Sequence, residues 1–193
     1  MPGSRHSRFA SLHDVELCGL SVTGDRRAFG ELVRRHGSAV RGVLRRMGAP
    51  SAEADDVAQD AFITAFERIA EFRGEGAFAA WVKKIAARLY LRRLQRERKL
   101  GALSAEAGED DPPPRADADA TIDLDSALKL LGATERLCVT MCFGAGLSHT
   151  EAAEALNLPL GTVKSHVKRG LEKLRTRLAP EDGVVLEGRR GNG

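Results

Sequence analysis

Apolar residues in this chain recur at spacings of three and four and hardly ever alternate, so the pattern of its folded parts is helical. A short first helix is expected over 12–20, ending near Gly24. The next segment, 25–47, sets Phe29, Leu32, Val33, His36, Val40, Val43, Leu44 and Met47 on one stripe and stops at Gly48 and Pro50, which predicts a core-facing helix. Ser51, with Ala54 and Asp55, is expected to cap a third helix whose apolar side is Val57, Ala61, Phe62, Ala65, Phe66 and Ile69. Its N-terminal half exposes Asp55, Asp56, Gln59 and Asp60, a placement that the helix dipole favours by itself. After Phe72 the run RGEG reads as a loop. Phe78, Trp81, Val82, Ile85, Leu89 and Leu94 then mark the buried side of a long helix, with Trp81 mainly in the core.

The following stretch, 101–121, carries three consecutive prolines (Pro112, Pro113, Pro114) among acidic residues, and it buries too little apolar surface to fold alone. It reads as a linker. Beyond it Ile122, Leu124, Leu128, Leu130, Leu131, Leu137, Val139 and Met141 open a second helical module. That module ends in LSHTEAAEALNLPLGTVKSHVKRG. Ser148 with Glu151 three residues later forms a capping box, Asn157 and Pro159 make a turn, and Val163, Val167, Leu171, Leu174 and Leu178 form the buried stripe of a last helix. Lys164, Ser165, His166, Lys168 and Arg169 fall largely off that stripe, an arrangement suited to a helix entering the major groove of DNA. The organisation expected is therefore all-α: residues 1–11 and 180–193 disordered, a first module over 12–100, the linker over 101–121 and a helix-turn-helix module over 122–179.

Charge changes the picture through its distribution, since a net +3 over 193 residues says little. The long helix carries Lys83, Lys84, Arg88, Arg92, Arg93, Arg96, Arg98 and Lys99 against Glu97, whereas 104–125 is acidic. Two basic modules thus flank an acidic joint. An N-terminal start without an apolar core, and no apolar run long enough for a bilayer, point to the cytoplasm and to no membrane insertion. Cys138 and Cys142 sit four apart in an apolar run and read as small core residues; His149 is a weak third ligand, and no metal or other cofactor is expected. No P-loop, HExxH or GxSxG motif supports an enzyme.

Taken in order, DVEL, GDRRAFGELVRRHGSAVRGVLRRM, EADDVAQDAFITAFERI, FRGEGAFAAWVKKIAARLYLRRLQRERK and ATERLCVTMCFGAGLSHTEAAEALNLPLGTVKSHVKRGLEKLR resemble a small extracytoplasmic-function (group IV) sigma factor of bacterial RNA polymerase, from about residue 14 to 178. The resemblance implies a division of labour. Asp56, Gln59, Asp60 and Phe62 become contacts to the clamp coiled coil of core polymerase, or supports for them. Arg73 and the loop after it would lie near a flipped base of the minus-ten promoter element, with Lys84, Arg88, Arg92 and Arg93 along the non-template strand. Lys164, Ser165 and Arg169 would face the minus-thirty-five duplex, with Thr162 and His166 nearby. The acidic linker would thread toward the active centre of the polymerase, and control by an anti-sigma factor is implied, in a stress or envelope response.

Two positions depart from the family pattern: Gly170 stands where alanine is common, and His166 where arginine is. The run TVKSHVKRGLEKL also resembles the recognition helix of LuxR-like regulators, which makes a stand-alone regulator the alternative. Such proteins carry a sensing or phospho-acceptor domain, and the first half of this chain lacks the strand-helix alternation one would need.

Overall fold

A computed structural model of the chain describes residues 7–74, 77–104 and 124–178, and every regular element among them is helical. The first module consists of α1 (Ser7–Ala10), α2 (Asp14–Val22), α3 (Arg26–Met47), α4 (Ser51–Glu67), a 3₁₀ turn at Ile69–Glu71 and α5 (Phe78–Ser104). The second consists of α6 (Leu124–Lys129), α7 (Ala133–Val139), a π-helical turn at Thr140–Gly144, α8 (His149–Leu156) and α9 (Leu160–Leu178).

Local chemistry sets most boundaries. Asp25 caps α3 by accepting from the backbone N–H groups of Arg27 and Ala28 at 2.9 and 3.2 Å. Gly48 ends it in the left-handed conformation, φ 111°. Around α3 the core is aromatic: Phe29 meets Phe66 at 4.9 Å and Phe78 at 6.4 Å between ring centroids, and Phe72 meets Phe78 at 5.6 Å, all edge to face. Trp81 is half-buried against this cluster.

Four expectations need correction. The disorder assigned to 1–11 does not hold for its last residues, because Arg35 on α3 donates to the carbonyls of Phe9, Ala10 and Leu12 at 2.8–3.0 Å and so orders α1; residues 1–6 lie outside the described part. Ser51 caps nothing: it is the first residue of α4, and Pro50, extended at ψ 155°, takes the cap position. α5 runs through Ser104 into the stretch assigned to the linker, whose remaining residues, 105–121, lie outside the described part, as do 122–123 of the second module and the tail from 179. Leu178 is 42% exposed, since α7 and α6 cover α9 only as far as Leu174.

The modules do not stand apart. Leu137, Cys138, Met141, Ala152, Val163 and Val167 of the second join Val43, Leu44, Val82 and Leu91 of the first in one continuous core. Gly144 in the π turn lets Val43 approach to 3.8 Å from where a Cβ would stand, and Thr140 Oγ1 donates to the Arg46 carbonyl at 3.5 Å. Ala127, Leu128, Leu131, Val139 and Leu174 form a satellite core inside the second module.

Candidate nucleic-acid interface

On the α4 side of the first module, Phe29, Val33, Ala58, Phe62, Ile63 and Phe66 line an open apolar groove of about 830 Å³, rimmed by Arg26, Arg41, Asp55 and Glu67. Asp55, Asp56, Gln59 and Asp60 are exposed, as their helical phase requires. Phe62 is not: at 6% exposure it packs against Phe29 and forms the groove floor, so it supports the surface without presenting itself as an exposed contact. The exposed apolar member is its neighbour Ile63, at 50%. Sequence reasoning passed over Ile63 because an apolar residue one position off the stripe reads as incidental; its exposure next to a groove is the signal that marks it.

The helix-turn-helix forms as its sequence dictates. Ser148 Oγ accepts from the Glu151 N–H at 3.1 Å while the Glu151 carboxylate accepts from the Ser148 N–H at 2.8 Å, and Asn157 closes α8 in the left-handed conformation, φ 53°. Val163, Val167 and Leu174 of α9 are buried. Lys164, Ser165, Lys168 and Arg169 are exposed, with Thr162 and His166 half-buried beside them. Ser165 Oγ donates to the Gly161 carbonyl at 2.8 Å, and Arg169 Nη2 lies 3.1 Å from His166 Nδ1. Behind them Glu135 on α7 holds Lys173 at 2.7 Å; burial works to raise its carboxyl, but the Lys173 hydrogen bond and charge outweigh it and the pKa is lowered. Gly170 is packed, not merely tolerated: a Cβ there would come within 2.6 Å of Val139 Cγ2.

The basic side of α5 is differently placed. Lys84 Nζ and Arg88 Nη2 reach Glu151 at 3.4 and 3.0 Å, and Gln95 Nε2 donates to the Ala155 carbonyl at 2.9 Å, so α8 lies across this face. The Ser148 backbone hydrogen bond, against burial and with help from Lys84, holds the Glu151 carboxyl below its ordinary value. Arg93 lies 3.5 Å from Glu53 and 3.7 Å from Glu97, whereas among the described residues Arg92 reaches only the Arg88 carbonyl, at 3.4 Å. Arg73 is exposed at the edge of the loop, of which Glu75 and Gly76 lie outside the described residues.

A groove beside an acidic helix, a basic helix and a helix-turn-helix therefore occur in one chain, and comparison with known proteins places them. A Sigma-70 region 2 family model matches residues 32–100, and a Sigma-70, region 4 model matches residues 127–176. The RNA polymerase sigma factor NccH of Alcaligenes xylosoxydans xylosoxydans is 33% identical over 172 residues, covering 83% of this chain and 92% of that protein. The ECF RNA polymerase sigma factor SigM of Mycobacterium tuberculosis is 32% identical over 176 residues, covering 89% of this chain and 86% of SigM. The chain belongs to the ECF sigma factors of the sigma-70 family. Among solved structures, CnrH in complex with the cytosolic domain of CnrY superposes with a TM-score of 0.51 at 28% identity, covering 86% of this chain and 96% of that one. Sigma factor RpoE, crystallised with the anti-sigma factor NepR from Bartonella quintana, shares the fold at 22% identity and a TM-score of 0.50.

In this sigma factor the cysteines behave as core residues: burial raises the thiol pKa of both Cys138 and Cys142, that of Cys138 to about 11. No group of three or more metal-ligating side chains occurs among the described residues, and no helix among them is long and apolar enough to cross a membrane. The arrangement of α5 against α8 is what sequence reasoning missed altogether, because nothing in either helix names the other as its partner.

Proposed function

We propose that this sigma factor divides promoter work between its two basic helices, with α5 and the loop before it taking the minus-ten strand and α9 reading the minus-thirty-five duplex. The protein binds core RNA polymerase and directs promoter-specific initiation, as its family does. The observation that carries the division is the outward set Lys164, Ser165 and Arg169 on a helix whose opposite side is locked into the core. Thr162 and His166 flank that set, and Arg73, Lys84, Arg88, Arg92 and Arg93 supply the strand-facing charge.

Polymerase docking is assigned to the α4 groove. Asp56, Gln59 and Asp60 give polar contacts, Ile63 gives the apolar one, and Phe62 holds the groove open. A coiled coil is the kind of partner an apolar groove with a charged rim accepts. The protein acts in the cytoplasm as an initiation factor without catalytic chemistry of its own. An anti-sigma factor holds it inactive until an envelope or other stress, in keeping with the solved relatives bound to CnrY and NepR.

Promoter capture on this reading requires α5 and α8 to part, because Glu151 occupies two of the strand-facing cations. The free protein is therefore a poor promoter binder. The deciding experiment mixes the purified chain with core polymerase and scores co-elution and run-off transcription from its own upstream region. Specific initiation is expected. An Ile63→Asp variant that is folded yet co-elutes as well as wild type would move the docking surface away from α4.

A further inference from the structure

Apart from the α5–α8 contact, the two modules line a crevice of about 790 Å³. Its walls are the C-terminal half of α3, Lys83 of α5, α6, Arg136 of α7, and Phe143 with Gly144 of the π turn. Five cations line it, Arg45, Arg46, Lys83, Lys129 and Arg136, against one carboxylate, Asp125. That carboxylate is already committed to Arg46 at 2.6 Å. Among the described residues no carboxylate pairs with the other four.

Arg136 is the least comfortable of the five. Its Nε is buried without a hydrogen-bond partner, and its guanidinium presses on Gly48 so closely that a Cβ there would stand 2.6 Å from Nη2. A guanidinium N–H withdrawn from water without an acceptor is unfavourable, and gathering four further cations around it adds repulsion. An anion entering the crevice offsets that repulsion. Its size falls within the usual range of small-ligand sites. Phe143, 66% exposed at the mouth, offers a ring face to a planar group.

We infer that this crevice is a binding site for a small polyanion with consecutive phosphates, held between Arg45, Arg46 and Lys83 of one module and Lys129 and Arg136 of the other. Because both modules contribute, the ligand binds the packed arrangement and not a separated one, and it stabilises the packed form by mass action. The site stands on the crevice alone and does not depend on the promoter assignments made above.

The test is calorimetric titration of the full chain with inorganic tripolyphosphate and with GTP, at an ionic strength held constant with NaCl. One equivalent should bind, and Lys129→Gln and Arg136→Gln should each weaken binding at least tenfold, while Arg68→Gln, far from the crevice, leaves it unchanged. Lys129 is exposed, so that variant reports on the site even if Arg136→Gln unfolds. GTP bound more tightly than tripolyphosphate, with the gain lost in Phe143→Ala, would identify a nucleotide; equal binding would identify a phosphate chain. Heats no larger than those of a NaCl titration at the same ionic strength, or crevice variants that bind as wild type does, would overturn the inference.

Discussion

The two basic helices have similar charge but opposite commitments. On α5, Lys84 and Arg88 are engaged by Glu151 and Arg93 by Glu53 and Glu97, so much of the face is neutralised within the molecule. On α9, Lys164 and Lys168 have no ionic partner among the described residues, and Arg169 has only His166 and, at 3.8 Å, Glu135. A count of lysines and arginines does not distinguish these helices. What distinguishes them is where the nearest carboxylate stands in three dimensions, and for α5 that carboxylate belongs to the other module. On the proposed division of promoter work, α9 is thus ready before assembly, and α5 becomes available only when the modules part.

The largest effect expected from breaking this contrast is on the ready side. On the proposed division, replacing Lys164 and Arg169 with alanine removes two groove contacts worth about 1–3 kcal/mol each, a loss of roughly 30-fold or more in holoenzyme binding to minus-thirty-five duplex. Co-elution with core polymerase should not change, and its loss would contradict the assignment of α9. Next comes the covered side. Arg88→Ala with Arg92→Ala should slow open-complex formation about tenfold, measured by permanganate reactivity, while closed-complex affinity moves much less. Equal losses at both stages would remove the strand-capturing role from α5.

Much of this was legible in the residues. The stripe from Phe29 to Met47, the capping box at Ser148 and the turn at Asn157 and Pro159 are local, and local rules found them. The exposure of Asp60 and Lys164 followed from helical phase alone. What failed was of two kinds. Ser51 lost its cap to Pro50, and 7–10 gained order from Arg35, because a neighbour one residue or one helix away decided the matter. The groove beside Ile63 and the Glu151 bridge depend on how helices pack, which periodicity does not encode. The glycine at 170 was the one departure from the family pattern with a packing cause, and that cause, Val139, lies on another helix.

A smaller effect tests the cover itself. Glu151→Gln keeps the capping geometry, because glutamine serves in a capping box, and removes the charge facing Lys84 and Arg88. Both bridges are partly solvated, and such pairs contribute about 0.2–1 kcal/mol each. The free chain should then bind single-stranded minus-ten oligonucleotide several-fold more tightly at low salt, and no gain would mean that α8 does not shield α5. Acid should act in the same direction. The Glu151 pKa is lowered in the folded chain, so its contribution is complete above the ordinary carboxylate value of about 4.3 and is lost as pH falls below it. Strand binding by wild type should therefore rise toward the variant's level on acidification, where the variant itself changes less.

The smallest effect concerns why α9 needs no such cover. Its apolar side is held by α6 and α7, and the tightest point is Gly170 against Val139. Alanine at 170 gains about 1 kcal/mol in helix propensity, but its methyl meets Val139 Cγ2 at 2.6 Å, and overpacking of this kind costs about 1–3 kcal/mol. The balance predicts a net destabilisation of about 1 kcal/mol, read from the denaturation midpoint. Val139→Ala clears the methyl, so the same glycine-to-alanine change made in that background should turn neutral or stabilising. A double-mutant cycle of zero coupling would show that α9 shifts to avoid the contact, and its groove-facing residues would then owe their position less to Gly170 than to the turn at Asn157.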